Sequence, residues 1–305
     1  MNKQFVWSVL LLGALRGGFA FADGTTEFHR TLSLAPTDHI TLDVTVPDGN
    51  VTIAYSHAGE ILVSATAQAS DGQVPADFFE RGLTVEREGE HVKVQFNPKS
   101  APSANNLRIS YTINVPNWIV VNSNVGKGRQ TITGVMGPVT AVSGSGDVKV
   151  LYVTSTLDAR TGRGDISVNR VGTAARVETG SGNVNMKDIG PGSSATVRGG
   201  IGSVDVDGVS GSFTGSTDAG ELRVAGGVYD NWDLKSASGN IHIGAATDSD
   251  SGFEIDAATS SGRLSVESDD AERQVDSNAR ECHQKVNGGG KLVRARSTSG
   301  NIFIQ

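Results

Sequence analysis

The sequence has few of the features that cross-link a chain covalently or anchor it in a membrane. Its 305 residues include one cysteine, Cys282, which cannot form an internal disulfide. Prolines number only 8, and no apolar run reaches the roughly 18 residues of a membrane-spanning helix. Lys and Arg number 26 against 33 Asp and Glu, a net charge of -7, which argues against nucleic-acid binding because that needs a basic surface. The fold must therefore be held by backbone ladders and burial.

The first 22 residues have the pattern of a cleavable secretory signal. Lys3 precedes an apolar run from Phe5 to Leu15, and Ala20-Phe21-Ala22 supplies a small-residue cleavage site. A retained membrane anchor is the alternative, but this run is too short to span a bilayer. Cleavage after Ala22 leaves 24 basic against 33 acidic side chains, a net charge of -9. We expect an exported chain, periplasmic, cell-surface or extracellular, with no transmembrane segment.

Nine glycines recur at nearly constant spacing in the second half of the chain. Their intervals are 18, 18, 18, 20, 18, 19, 23 and 38 residues. After every one except the first, the residues two and four positions on are both apolar, as in Val148 and Val150. Such a period is typical of a solenoid, whose repeats bury their apolar faces by stacking. We predict that the repeat corners are Gly128, Gly146, Gly164, Gly182, Gly202, Gly220, Gly239, Gly262 and Gly300.

Each repeat contains two stretches in which apolar and polar residues alternate, and no helical pattern. At about 3.3 Å per residue, an 18-residue coil has a circuit of roughly 60 Å, enough for three short sides. The sequence therefore predicts an all-β fold, a single-stranded parallel β-helix (β-solenoid) of roughly 18-residue coils. We divide the chain into a signal peptide at 1–22, a less regular β-rich N-terminal part of the solenoid at 23–123, and regular repeats at 124–305 with an excursion at 267–290.

Two less regular regions flank the repeats. In the N-terminal part, alternating runs on either side of residues 47–50 predict strand, turn and strand, residues 75–83 predict one short helix, and residues 88–90 predict a hairpin turn. Residues 267–290 are polar and end in three glycines, so we interpret them as a loop or hairpin that leaves the coil. Because little follows Ile304, we expect a bare strand end there unless the excursion or a second molecule covers it.

Several segments of the chain, taken together in their order and spacing, form a more specific pattern than any one of them does alone. They are DGNVTI at 48–53, INVPNWIVVNS at 113–123, the repeats VSGSGDVKV, RTGRGDISV and ETGSGNVNM, FEIDAATSSGRLSV at 253–266 and GGGKLVRARSTSGNIFI at 288–304. Together they resemble the bacterial putative adhesin family, exported β-solenoid domains of unknown function. The resemblance implies an exported or envelope protein and carries over no catalytic residues.

Two corner sequences invite a functional interpretation. Residues 163–165 spell Arg-Gly-Asp, the tripeptide that integrin receptors bind, but the neighbouring repeats hold Ser-Gly-Asp and Ser-Gly-Asn there, so the corner explains the glycine and the aspartate. The ladder Asp147, Asp165 and Asn183 offers oxygen ligands for calcium, yet it soon changes to other residue types. We interpret both as turn residues and predict no metal site.

A carbohydrate-active β-helix enzyme, a polysaccharide lyase or hydrolase, is one alternative function. Such enzymes need clustered carboxylates facing one groove, and the candidates are Asp205, Asp207, Asp218 and Glu221. Acidic residues at outward positions also keep a solenoid soluble. Cys282-His283 lacks further zinc ligands, and the six histidines show no ligand spacing: His29, His39, His57, His91, His242 and His283. We predict no catalytic residue and no cofactor.

The preferred prediction is a non-enzymatic adhesin or envelope interaction scaffold with a protein or glycan partner, and with oligomers possible through the open solenoid end. A rigid prism would sum many weak contacts along its length. An envelope sensor or assembly partner that uses residues 267–290 is the second alternative. A glycan-binding strip would arise if the aromatic residues shared a face, although packing explains them more simply: Trp118, Trp232, Tyr55, Tyr111, Tyr152 and Tyr229.

Overall fold

The computed structural model describes residues 25–35, 38–70, 74–99, 107–246, 252–267 and 280–305. The predicted signal peptide and residues 268–279 of the excursion lie outside these ranges. The described residues form two 13-stranded, mostly parallel sheets and one short helix. The predicted all-β class is thereby confirmed. No helix within the described ranges is long and apolar enough to cross a membrane.

The N-terminal part contains seven strands and the helix. In chain order they are β1 Thr25–Ser33, β2 Thr41–Asp48, β3 Asn50–Tyr55, β4 Glu60–Ala69, α1 Phe78–Gly82, β5 Leu83–Glu88, β6 His91–Phe96 and β7 Leu107–Val115. The predicted helix and the hairpin between β5 and β6 are confirmed. This part closes one end of both sheets with antiparallel pairs, β1 with β4, β4 with β7, and β5 with β6.

Fourteen strands follow as seven pairs, one pair per coil. They are β8 Val120–Lys127, β9 Gln130–Thr133, β10 Val139–Ser145, β11 Val148–Val153, β12 Leu157–Arg163, β13 Ile166–Val171, β14 Ala174–Ser181, β15 Val184–Ile189, β16 Ser194–Ile201, β17 Val204–Val209, β18 Ser212–Ala219, β19 Leu222–Gly227, β20 Trp232–Ser238 and β21 Ile241–Ala246. Odd-numbered strands of this set join the first sheet and even-numbered ones the second. Each coil therefore contributes one strand to each sheet.

The alternation of the sequence places the core between the sheets. Along β10 and β11 the residues Val139, Ala141, Val148 and Val150 are buried, and the residues between them face outward. In-register parallel pairing then stacks like on like, for example Val139 on Leu157. The exception is the first coil, where the buried Gln130 stands in the apolar column and donates a hydrogen bond to the Val142 carbonyl at 2.5 Å.

A short segment on the narrow side of the coil begins where each first-sheet strand ends. Val135, Val153, Val171 and Ile189 are buried there, in successive coils. Single backbone hydrogen bonds link the coils, such as Gly172 N–H to the Val153 carbonyl at 2.9 Å. Two such bonds link one pair of coils, from the Ser210 N–H to the Ile189 carbonyl at 3.2 Å and from the Gly192 N–H to the Ser210 carbonyl at 3.3 Å. The described coils thus consist of two broad sheets joined by a short segment.

The C-terminal strands do not stack in the order of the chain. They are β22 Gly252–Thr259, β23 Leu264–Val266, β24 Glu281–Val286, β25 Gly290–Ser297 and β26 Ile302–Ile304. In the first sheet β26 lies between β21 and β23, and in the second sheet β25 lies between β20 and β22. The last coil of the chain is thus inserted before the coil that precedes it in sequence.

This insertion corrects the prediction of a bare strand end after Ile304. β26 has a parallel neighbour on each side, because Ile302 pairs with Ile241 and also with Leu264. The end of the second sheet is instead covered by β24, which pairs antiparallel with β22. The excursion therefore covers the end of the second sheet, whereas the strand of Ile304 is covered by β23 and by neither of the two expected solutions.

The chain reaches the inserted position by passing over the start of β22. Residues 287–290, which follow β24, all have positive φ angles, from 47° at Asn287 to 155° at Gly290. A Cβ atom at Gly252 would lie 2.3 Å from the Asn287 carbonyl oxygen, so the two segments cross in close contact. β24 and β25 consequently pair with the two opposite edges of β22.

Candidate functional site: corners and outer faces of the stacked coils

The corner glycines stack on one another where a second-sheet strand leads into a first-sheet strand. Six of them, Gly128 to Gly220 in the predicted set, have φ angles of 125–142°. A Cβ at each of the nine would lie within 2.4 Å of the carbonyl oxygen of a glycine in the adjacent coil. Gly49, at φ 124°, belongs to the same column beneath Gly128 and was missed, although the motif DGNVTI carried the signal.

The polar residue after each glycine joins neighbouring coils. The Asp147 carboxylate accepts a hydrogen bond from the backbone N–H of Asp165 at 3.2 Å, and the Asp165 carboxylate accepts one from Asn183 at 2.7 Å. The Asn183 side chain continues the series to Ser203 at 3.0 Å. These oxygens, considered above as calcium ligands, thus accept backbone N–H groups. Arg163 and Asp165 of the Arg-Gly-Asp sequence lie exposed on this corner.

A buried hydroxyl three residues before the glycine adds a second link. The Thr161 hydroxyl lies 3.0 Å from the Gly146 carbonyl oxygen, and the Thr179 hydroxyl lies 3.0 Å from that of Gly164. The Ser143 hydroxyl is also buried and has no partner within the described structure. Gly199 interrupts the column. The threonine hydroxyls and the Asp and Asn side chains at the corner therefore have structural partners that explain their residue types.

The four carboxylates proposed for an enzyme do not converge. Asp205 and Asp207 face outward from β17 in the first sheet, whereas Asp218 faces outward from β18 in the second. Glu221 lies at the corner, where it accepts a hydrogen bond from Arg223 at 2.7 Å and approaches His242 at 3.4 Å. The hydrogen bond to Glu221 raises the pKa of Arg223. Glu221 thus forms an ion-pair group with Arg223 and His242, and the four carboxylates do not provide a paired acid and base.

The histidines and the cysteine are similarly dispersed. His91 lies 2.7 Å from Asp43, His57 packs on Tyr55, and His283 lies 3.1 Å from Asp256. Cys282 is buried in β24, and burial raises the pKa of its thiol. Within the part of the chain that the structure describes, no three His, Cys, Asp or Glu side chains are grouped as metal ligands.

A polar groove lies on the outer face of the second sheet, with a volume of about 1020 Å³. It crosses seven neighbouring strands, β14, β16, β18, β20, β25, β22 and β24. At about 4.8 Å per strand the groove is roughly 29 Å long. One in-register row runs along it: Glu178, Arg198, Ser216, Lys235, Arg296, Ala258 and Glu281.

The charges in the groove differ in how they are neutralised. Lys235 pairs with Asp233 at 2.8 Å, and Arg296 pairs with Asp256 at 2.5 Å. Burial raises the pKa of Asp256, but the hydrogen bond and charge of Arg296 outweigh it and hold that pKa below its ordinary value. Arg198 has no hydrogen-bond or ion-pair partner among the described residues. Arg280, which also lines the groove, has no side-chain partner among the described residues either, so the groove offers two unneutralised cations on a mixed-charge surface.

The structure divides the aromatic residues between core and surface. Trp232 and Tyr111 are buried, and burial raises the pKa of the Tyr111 hydroxyl. The other four are exposed: Trp118, Tyr55, Tyr152 and Tyr229. Tyr55 and Tyr152 lie in the first sheet with only β9, which ends just before Gly134, between their strands. The sequence alone could not separate these two groups, because both types sit in alternating runs.

Comparisons with known proteins agree with the resemblance found in the sequence. No curated protein sequence matches this chain. The chain is similar to three crystal structures with low identity. The first is a putative cell adhesion protein from Clostridium sporogenes ATCC 15579, with 12% identity, coverage of 92% of this chain and 98% of that chain, and a TM-score of 0.30.

The second is a putative adhesin (BF0245) from Bacteroides fragilis NCTC 9343, with 11% identity, 92% and 97% coverage and a TM-score of 0.39. The third is a putative lipid binding protein from Parabacteroides distasonis ATCC 8503, with 9% identity, 92% and 97% coverage and a TM-score of 0.42. A family model described as Toastrack DUF4097 matches residues 102–305. Since this match spans more than half of the sequence, the chain belongs to the Toastrack DUF4097 family.

Proposed function

We propose that this protein is an exported, non-enzymatic adhesin that acts as a surface or envelope interaction scaffold. Its body is a single-stranded parallel β-helix of roughly 18-residue coils. The successive register offsets of 18, 18, 20, 18 and 19 residues between second-sheet strands support this description. The signal pattern in residues 1–22 supports export.

The observation that carries the proposal is the shape and chemistry of the groove on the second sheet. Pockets for small substrates are enclosed and mostly apolar. This groove is open, polar and roughly 29 Å long at the strand spacing of about 4.8 Å, so it suits an extended macromolecule. The repeated backbone ladders keep its walls rigid, and contacts that are weak one by one add along its length.

Adhesion is tested by charge reversal in the groove. Arg198→Glu should weaken binding of the mature chain to isolated cell-envelope and extracellular-matrix fractions at least tenfold, measured by surface plasmon resonance. Lys149→Glu is the matched control, because Lys149 faces outward from β11 on the other sheet. Equal binding by both variants would contradict the groove as contact surface. Turnover of a polysaccharide that Asp218→Asn or Glu221→Gln abolishes would favour the enzyme instead.

Export is tested separately by the mass of the protein recovered from outside the cytoplasm. Cleavage after Ala22 should give a chain that begins at Asp23. Recovery of the intact chain from the cytoplasm alone would contradict an exported adhesin.

A further inference from the structure

A row of three exposed side chains occupies backbone positions that glycine would fill at lower cost. Tyr152, Arg170 and Asp188 have φ angles of 58°, 61° and 56°. They lie side by side in successive coils, because the residues on either side of them pair in register. The neighbouring coils have Gly134 and Gly208 in this row, at φ 74° and 73°.

The left-handed region disfavours residues with a Cβ, and such outliers persist where the surrounding structure enforces them and function uses them. The glycines at both ends show that the coil needs this backbone conformation whatever the side chain. Three consecutive coils nonetheless retain an aromatic ring, a cation and a carboxylate. The corner therefore keeps side chains whose role is not to shape the backbone.

The three side chains contact one another along the row. The Arg170 guanidinium carbon lies 5.6 Å from the centre of the Tyr152 ring, within range of a cation–π interaction. The guanidinium also lies 3.7 Å from the Asp188 carboxylate. All three remain largely in solvent, with 51% of Tyr152 exposed and with 63% and 57% of the side chains of Arg170 and Asp188 exposed.

More exposed rings lie beside this row. Tyr55 is in the coil beyond Gly134, so its backbone is two strand spacings, about 9.6 Å, from that of Tyr152. Gly134 places no side chain between them. Trp118 and Met136 are exposed on the narrow side of the same coils, where the Met136 N–H donates to the Asn117 carbonyl at 2.6 Å.

We propose that the row of Tyr152, Arg170 and Asp188 is a binding site for a neutral glycan. A pyranose presents an apolar C–H face that stacks on an exposed aromatic ring. Its hydroxyl groups both donate and accept, so they suit a guanidinium next to a carboxylate. This inference rests on the proposed adhesive function and names a ligand class at a second surface.

The chemistry of the row favours this ligand over a peptide or an acidic polymer. Arg170 and Asp188 neutralise each other, and the chain is acidic overall, with a net charge of -7, so no excess cation attracts a polyanion. Every side chain of the row is also exposed, whereas an apolar peptide would need a recess in which to bury its own side chains. A flat sugar chain that lies across the coils needs neither feature.

The test uses the mature chain with cellohexaose, laminarihexaose and mannohexaose as neutral probes and polygalacturonate as the acidic one, in isothermal titration calorimetry. At least one neutral probe should bind. Tyr152→Gly, Arg170→Gly and Asp188→Gly should each weaken that binding at least tenfold. Because glycine suits these φ angles, none of the three should lower the melting temperature. Tyr229→Ala is the control, an exposed tyrosine in a more distant coil that should leave binding unchanged.

Three outcomes would overturn the proposal. They are binding of polygalacturonate alone, no binding of any neutral probe, and neutral-glycan binding that all three glycine variants retain. If adhesion to envelope fractions persists in a chain that binds no neutral probe, the glycan site is refuted and the adhesive function stands. If that chain adheres but its Arg198→Glu variant does not, the groove and not this row is the contact surface.

Discussion

The seven central coils and the C-terminal end obey different stacking orders. From β8 to β21 each coil stacks on the one before it in sequence. At the C-terminal end the coil of β25 and β26 is placed between that of β20 and β21 and that of β22 and β23. A regular period thus predicts which coils are neighbours only where the period is unbroken.

The two regions are also held by different interactions. Central coils are joined by repeated corner contacts, each made by backbone or by a short side chain. The C-terminal end depends on a few individual features, the crossing at Gly252 and the ion pairs of Asp256 with Arg294, Arg296 and His283. The destabilisation caused by a single substitution should therefore spread through the central coils but remain local at the C-terminal end.

The largest effect is expected for Gly146→Ala in the central column. Its φ is 142°, and the new Cβ would lie 2.1 Å from the Gly128 carbonyl oxygen, so the coils must separate. We expect a loss of about 3 kcal/mol or more in the free energy of unfolding. Gly89→Ala is the control, with φ 63° and no atom within 4 Å of the added carbon, and should cost about 1 kcal/mol. Denaturant unfolding measures both, and equal losses would contradict the stacking argument.

Gly252→Ala should produce a similar clash but a local response. The new Cβ would lie 2.3 Å from the Asn287 carbonyl oxygen and displace the crossing segment. Hydrogen exchange should accelerate in β24 and β25 by a factor on the order of 100, which corresponds to about 2.7 kcal/mol of local opening. Exchange in β10 to β16 should not change. Acceleration in both regions would show that the end and the centre form one cooperative unit.

Asp256→Asn should destabilise the C-terminal end by about 1–2 kcal/mol near neutral pH, because charged hydrogen bonds to two arginines are lost. The pKa of Asp256 is lowered in the fold, so the carboxylate stabilises above the ordinary pKa of about 4 and this contribution disappears as pH falls through the folded value. The difference in the free energy of unfolding between the variant and the parent protein should therefore become smaller as the pH is lowered. Asp233→Asn, which loses one lysine contact, is the control with the smaller effect.

The smallest effect is expected in the hydroxyl column of the central coils. Thr161→Val removes a hydroxyl whose one hydrogen is donated to the Gly146 carbonyl oxygen at 3.0 Å or the Arg163 carbonyl oxygen at 3.1 Å, and it should cost about 1 kcal/mol. Ser143→Ala removes a hydroxyl that has no partner in the described structure and should be nearly neutral. Matched thermal melts compare the two, and equal losses would show that burial and not hydrogen bonding explains the column.

Much of the central fold could be predicted because its information is local. The apolar pairs after each glycine, such as Val148 and Val150, identify strands, and the constant interval places them in register. Gly49 was missed because its coil is separated from the next by residues 56–119, which break the period. The aromatic residues could not be assigned to core or surface from alternation alone. The φ angles of Tyr152, Arg170 and Asp188 have no signal in those residue types, and only Gly134 and Gly208 at the same repeat position indicate them.

The sequence by itself determined the all-β class, the corner glycines and the pairing of successive coils, because equal side-chain periods stack like on like. Only the tertiary structure decided the order of the last two coils. Leu264 and Val266 present the same apolar pair as Ile302 and Ile304, so either coil fits against β21 by side-chain pattern. The close crossing of residues 287–290 over Gly252 selects the inserted order, and that contact depends on chain path and not on periodicity.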